Sequence, residues 1–460
     1  MAQTINNSTN NTQQYNIATM PLRRQHFSVL AIGSMEQIIG TVLSGLVGIV
    51  MPMMLLLPAY HSMSSFMQGV LGAAGLLGIA IGSPIIGSLS DRYGYLFYYR
   101  LCPILITVFS VLVYLFPYEW MLILGLFMIG VGVGGGYALD SDYISELMPD
   151  RWKEFMVGVA KSTSALGFVA VAGLCWFILA HGLKAEQWSS LFLIPGALGA
   201  LTFVLRIPCR QSPRWLMEKG ETAKAEAAAK YFLGSDVVIT PEKKLVAAKP
   251  TPWLDMFKGA NLSKVIFSGI PWACEGVAVY GVGVFLPILV MALGIEKSNA
   301  EGMAKIINSV ELTTIINSFI VIGFAVGLVV MRRMWHVSLM SIGFLMSAAG
   351  MAVLLWGYEC HLPLWVSVVA FLVFEIGLNA GPHLITFVVP TQIYDVDDLG
   401  AGSGIAAMFG KLGAVAGVFI IPMVLHSGGV KMVLIVCTAI MLLGALITQI
   451  FGSKVLPKKK

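Results

Sequence analysis

Apolar positions in this chain form long unbroken runs rather than alternating with polar ones. Between residues 27 and 452, a short polar, glycine or proline break closes each run. About 20 consecutive apolar residues cross a bilayer core as a helix, which satisfies its own backbone hydrogen bonds. The runs predict twelve spanning helices, near 27–57, 66–88, 97–117, 120–142, 155–181, 188–208, 264–293, 303–331, 336–357, 362–389, 400–425 and 430–452. Their continuity argues against a β-barrel, whose strands alternate. One long polar stretch, 209–263, divides the series into bundles at 27–208 and 264–452. Within it, 212–232 reads as a surface helix and the rest as a Pro- and Lys-rich linker. The polar residues 1–26 predict a disordered tail, and 453–460 a basic one. The expectation is an all-α polytopic membrane protein, with twelve transmembrane helices in two pseudo-symmetric six-helix bundles.

Composition agrees: 57% of the 460 residues are hydrophobic and 12% charged, with mean hydropathy +0.83. Soluble domains carry about 25% charged residues. Net charge is +5, but its placement says more. With both termini on one side, that side collects Arg23, Arg24, Arg92, Arg100, Arg151, Lys153, the central loop, Arg332, Arg333 and the lysines at 458–460. Only Lys184, Lys297, Lys305 and Lys431 fall on the other. The positive-inside rule places the termini and central loop in the cytoplasm, here of a bacterial inner membrane. The first apolar segment is too long for a cleavable signal peptide, and Arg23 and Arg24 directly precede it. Six scattered cysteines form no CxxC pair, so no zinc site or disulfide framework is indicated. No cofactor, metal or nucleic-acid partner is expected. The expected partners are a small-molecule substrate, protons and the lipid bilayer around a monomer.

Weak repeats relate the halves. Glu36 precedes Pro52 in segment 1, and Glu275 precedes Pro287 in segment 7. Glu146-Leu-Met-Pro149 follows segment 4, and Pro390-Thr-Gln392-Ile-Tyr follows segment 10. Such repeats suit transporters that rock one bundle against the other around a midplane site. Gly87-Ser-Leu-Ser-Asp91-Arg92-Tyr-Gly94 predicts a short turn at a membrane face. It resembles the G-x-x-x-D-R-x-G loop of the major facilitator superfamily, with Tyr95 and Leu96 where basic residues usually follow. Ser212-Pro-Arg-Trp-Leu216 resembles a signature of sugar porters and the organic-ion and metabolite transporters near them. Gly130-Val-Gly132-Val-Gly134-Gly135-Gly136, followed by 143–149, is similar to their helix 4 and its exit loop, with Lys153-Glu154 for the usual Arg-Gly. The 390–407 stretch resembles their helix 10–11 loop, with Gln392 for Glu, Leu399 for Arg, and Asp395, Asp397 and Asp398 added. The resemblance covers the whole chain and implies the metabolite:proton symporter branch. The glutamine-rich helix 5 and Gln-Gln helix 7 of hexose carriers are not evident.

An ionisable group at mid-helix depth costs roughly 2.5–3.5 kcal/mol on insertion scales, so each needs an explanation. Glu36 heads a face with Gly40, Ser44 and Gly48, and Glu275 lies beside the Trp272, Gly276, Tyr280 face. Both acids are candidates for substrate binding and proton coupling, against a structural polar contact. Glu375, Asn379 and His383 recur every four residues, with Thr386 continuing the face. That stripe offers a proton relay through Glu375 and His383, with Asn379 available to substrate. Lys411 matches, by the resemblance, a position where organic-anion carriers place a base and cation carriers an acid. Lys161, with Ser164 on its face, either sees substrate or snorkels to the interface. Trp272, Tyr280 and Phe387 can stack on a substrate or serve as packing. Asp140 shares an interior face with Gly132 and Gly136. Asp91, Arg92, Asp142, Glu146 and Lys153 read as a cytoplasmic gate.

No nucleotide-binding motif, nucleophile–base pair or metal spacing stands out, so an enzyme is not expected. The leading expectation is a secondary transporter of a small polar metabolite, an organic acid or anion favoured, by proton symport and alternating access. Alternatives are cation or drug efflux by proton antiport, a sugar or polyol carrier, and a non-transporting nutrient sensor.

Overall fold

The structure is a computed structural model that describes residues 15–234, 237–238, 251–282, 302–395 and 398–456. Twelve helices are long and apolar enough to cross a membrane. In the first half they are α1 (Arg24–Leu55), α2 (Phe66–Tyr93), α3 (Tyr95–Leu115), α4 (Glu119–Leu147), α5 (Lys153–Ala180) and α6 (Ala185–Arg206). In the second they are α7 (Gly259–Gly281), α8 (Gly302–Met331), α9 (His336–Glu359), α10 (Trp365–Val388), α11 (Leu399–Phe419) and α12 (Ser427–Val455). An even number of crossings puts the start of α1 and the end of α12 on one face, called here the terminal face. Among the described residues, the strands are Tyr15–Asn16 and Val237–Val238, a short parallel pair. The ends of both predicted tails, most of the linker, Asp397, Pro287, Lys297 and the expected part of segment 7 beyond 282 lie outside the described residues.

Several breaks differ from the predicted ones. The expected turn at 87–94 is helical through Tyr93, and Gly94 alone, at φ 93°, redirects the chain into α3. Its N–H still bonds the Ser90 carbonyl at 2.7 Å, so the helix end stays satisfied while glycine takes the left-handed conformation. The expected loop after α4 is helical to Leu147. The expected surface helix at 212–232 is two helices, Pro213–Glu218 and Thr222–Leu233. Ser212 caps the first, its hydroxyl accepting from the Trp215 N–H at 3.2 Å.

Small residues set how closely the helices approach. A Cβ placed on Gly130 of α4 would lie 2.1 Å from the Gly75 carbonyl oxygen of α2, so the two backbones touch. Such small-residue contacts drive packing in lipid, where apolar burial between helices gains little. The halves meet along α2 with α11 and α5 with α8. Gly87 of α2 abuts the Gly400 backbone near the terminal face, and Gly69 abuts the Phe419 ring near the opposite face.

Gly130→Val should lower the thermal midpoint of the purified protein, overpacking costing about 1–3 kcal/mol. Gly48→Ala, with no atom within 4 Å of the added Cβ, should leave it unchanged.

Candidate functional site

Between the halves, α4, α5, α7, α10 and α11 bring a group of buried charges and rings together. Lys161 of α5 and Lys411 of α11 are 1% and 2% exposed. Both ammonium groups face the ring of Tyr137, at 5.4 Å and 4.8 Å from its centroid. Lys161 also lies 5.7 Å from the Phe387 ring, and Lys411 lies 4.2 Å from the Tyr280 ring. Lys411 donates to the Tyr280 hydroxyl at 2.5 Å. Phe387 meets both Tyr137 and Trp272 edge-to-face at 6.1 Å. Ring faces attract cations, but by only about 0.5–2 kcal/mol, less than the desolvation of an ammonium. Among the described residues, neither lysine has a carboxylate within ion-pair distance.

The polar stripe on α10 forms a continuous chain. The Glu375 carboxylate accepts from the Asn379 amide at 2.9 Å. The Asn379 amide oxygen lies 2.9 Å from His383 Nδ1, and His383 Nε2 lies 3.5 Å from Glu275 Oε1 on α7. If His383 carries its proton on Nδ1, it donates to Asn379 and presents Nε2 to a protonated Glu275. The helix is interrupted at Gly381, φ −107° and ψ −93°, between Asn379 and His383.

Glu36 does not join this group. It is fully buried within the first half, ion-paired to Arg206 at the end of α6. Arg206 also bonds Asp140 at 2.7 Å and the Tyr99 carbonyl at 2.9 Å, and stacks on the Tyr99 ring at 3.6 Å. The repeat-related acids Glu36 and Glu275 thus sit in unlike surroundings. Arg206 escaped sequence reasoning, because a lone arginine closing an apolar run reads as an interfacial charge. The Asp140 face was the available hint, since a buried acid requires a cation.

At the terminal face, acids bind backbone and hydroxyl groups, Asp91 and Asp142 doing so across the halves. Asp91 accepts from the N–H groups of Gly400 and Ala401 at 3.3 and 2.9 Å, at the first turn of α11. A carboxylate is favoured there by the open N–H groups and the helix dipole. Asp142 accepts from Ser403 at 3.0 Å, and Thr251 bonds Asp398 through its N–H at 2.7 Å and its hydroxyl at 2.8 Å. Glu146 accepts from Tyr95 at 2.9 Å and from Ser212. Lys153 is half-buried at the start of α5, and the Arg92 side chain is exposed. Gln392 lies 2.8 Å from His336 Nδ1, an amide–imidazole pair.

The sequence profile of the sugar (and other) transporter family matches residues 4–455. The chain is 25% identical over 452 residues to the inner membrane metabolite transport protein YgcS of Escherichia coli (strain K12), covering 97% of this chain and 96% of that one. It is 20% identical over 447 residues to the niacin transporter NiaP of Acinetobacter baylyi, covering 95% and 96%. Among solved structures, the proton:xylose symporter XylE bound to 6-bromo-6-deoxy-D-glucose superposes with TM-score 0.76. Its sequence identity is 17%, over 93% of this chain and 95% of that one.

Arg206→Met should destabilise the protein by about 3–5 kcal/mol, because it strands two buried carboxylates. Adding Glu36→Gln and Asp140→Asn should recover most of that loss in a thermal unfolding series. Equal stability of the single and triple variants would remove the triad from the account.

Proposed function

The chain belongs to the sugar (and other) transporter family, a multi-pass membrane carrier of metabolites, and from that premise we propose that it moves a small organic anion together with protons. The observation that carries the reading is the pair of buried ammonium groups, Lys161 and Lys411, flanking Tyr137 between the halves. With Glu275 ionised and Glu375 and His383 neutral, this group holds one positive charge in excess. A buried excess of that kind calls for an anionic partner. The orientation is termini inside, which follows from the bias of Lys and Arg toward the terminal face.

Proton coupling follows from the same charge count. Protonation of Glu275 removes the negative charge nearest the lysines and raises the pull on a carboxylate. By linkage, the bound anion must then raise the proton affinity of Glu275 equally. His383 Nε2 is the group that exchanges a proton with Glu275, and Glu375 is a second proton carrier tied to its ring through the Asn379 amide. In the first half, Glu36 and Asp140 together outnumber Arg206, so one proton neutralises that triad as well. Trp272 and Tyr280 line the anion's position, and Asn379 is its polar contact. A pH gradient supplies about 1.4 kcal/mol per unit and the membrane potential roughly 2.3 kcal/mol per charge per 100 mV.

Asp91 and Asp142 hold the cytoplasmic gate shut, Glu146 braces its first-half side through Tyr95 and Ser212, and Arg92 and Lys153 are exposed and half-buried charges around it. Opening inward breaks the Asp91–α11 and Asp142–Ser403 contacts. Alternating access is then a shift between this closed arrangement and one open to the cytoplasm.

Two measurements test the reading on protein reconstituted in liposomes. Niacin and benzoate should stabilise it against heat more strongly at acidic than at neutral pH. Lys411→Ala or Lys161→Met should weaken that binding by about 30-fold or more, the low end of the roughly 2–5 kcal/mol cost of truncating a buried charge contact. Stabilisation by glucose or xylose instead, insensitive to both lysines, would replace the anion reading with a sugar one; stabilisation by amines alone would favour a cation carrier. Glu275→Gln should keep binding but lose its pH dependence, and uptake should no longer follow an imposed pH gradient. A pH dependence unchanged in that variant would move the proton site elsewhere.

A further inference from the structure

A second charged site lies outside the central group, at the terminal face where α5 crosses α8. A cavity of about 460 Å³ is lined by Phe155 at the start of α5, Leu328 and Val329 in the last turn of α8, and Arg332 and Arg333 just beyond it. The Arg332 guanidinium is fixed over the rings of Trp152 and Phe155, 4.7 and 5.0 Å from their centroids. Arg333 is exposed. Among the described residues, neither guanidinium meets a carboxylate within ion-pair distance. An arginine held by aromatic ring faces rather than by a carboxylate keeps N–H groups available to a planar or tetrahedral anion.

The wall leading to these arginines is apolar and open to the bilayer. Ile322, Val326 and Val329 are 47%, 42% and 63% exposed. They recur at four- and three-residue spacing on one face of α8, and Arg333 continues it by four more. One helical stripe thus runs from hydrocarbon depth to a pair of uncompensated cations at the interface. Its shape and charge match a lipid: chain along the stripe, anionic headgroup at its end.

We propose that this cavity binds the headgroup of an anionic phospholipid from the cytoplasmic leaflet, its acyl chain along Ile322, Val326 and Val329. The leaflet follows from the orientation argued above, and the site is independent of the solute carried. Basic pockets between helices on this side favour such headgroups. Phe155 and Trp152 belong to the first half and α8 to the second, so the bound lipid touches both sides of a crossing between the halves. A lipid held there adds a contact to the closed cytoplasmic side.

The test uses delipidated full-length protein in a neutral detergent, with thermal midpoint read against added lipid. Phosphatidylglycerol should raise the midpoint in a saturable way, while phosphatidylethanolamine and inorganic phosphate should not. Arg332→Gln with Arg333→Gln should weaken the half-saturation for phosphatidylglycerol at roughly fivefold per arginine removed. Val329→Trp fills the cavity without altering charge and should also abolish the shift, which covers the case of a double variant that does not accumulate. An equal shift by phosphatidylethanolamine, or one retained in these variants, overturns the site. A shift reproduced by inorganic phosphate overturns the lipid as its occupant.

Discussion

Charge held in a low-dielectric interior must find a partner or a use, and the arrangement of this protein follows from how it meets that requirement. In the first half the requirement is met internally. Arg206 is bonded by Glu36 and Asp140 and stacked on Tyr99. Helices α1, α3, α4 and α6 are thereby tied at one point, so that half can move as a unit. Between the halves, the requirement is met only in part. Lys161 and Lys411 have rings and one tyrosine hydroxyl but, among the described residues, no carboxylate in contact. The fold thus separates charges that anchor a bundle from charges that packing leaves without a counter-ion among the described residues, and the proposed anion is assigned to the latter.

The same logic sets the closed terminal face. Asp91 is placed on free backbone N–H groups of α11 rather than on a basic side chain. Asp142 takes a serine hydroxyl from the opposite half. Hydrogen bonds of this kind net only about 1 kcal/mol each, or up to about 3 kcal/mol where one partner is charged. For the gate proposed above, a few such bonds would be strong enough to favour one arrangement and weak enough to release. Gly87 against Gly400 lets the backbones come close enough for Asp91 to reach.

The chain on α10 shows where the local pattern is a sound guide and where it stops. Glu375, Asn379 and His383 share a face by spacing alone, and they bond in that order in the structure. What spacing could not provide was the link from His383 to Glu275, which depends on how α7 packs against α10. Likewise Lys161 and Lys411 are marked by their depth in apolar runs, but only packing brings both to one ring.

By itself the sequence determined that there are twelve spans, that the class is all-α and which face carries the basic residues. These are decided by the length and polarity of single segments, because each helix satisfies its own backbone in the bilayer. Only the tertiary structure decided which buried charges compensate one another. Glu36 and Glu275 look equivalent along the chain, yet one is consumed by Arg206, 170 residues away, while the other faces His383. Helix ends at 87–94 and 212–232 likewise depended on the backbone conformation of Gly94 and Gly220. Compensation is a property of neighbours across helices, and interhelical neighbours are set by packing, which no single run of residues contains.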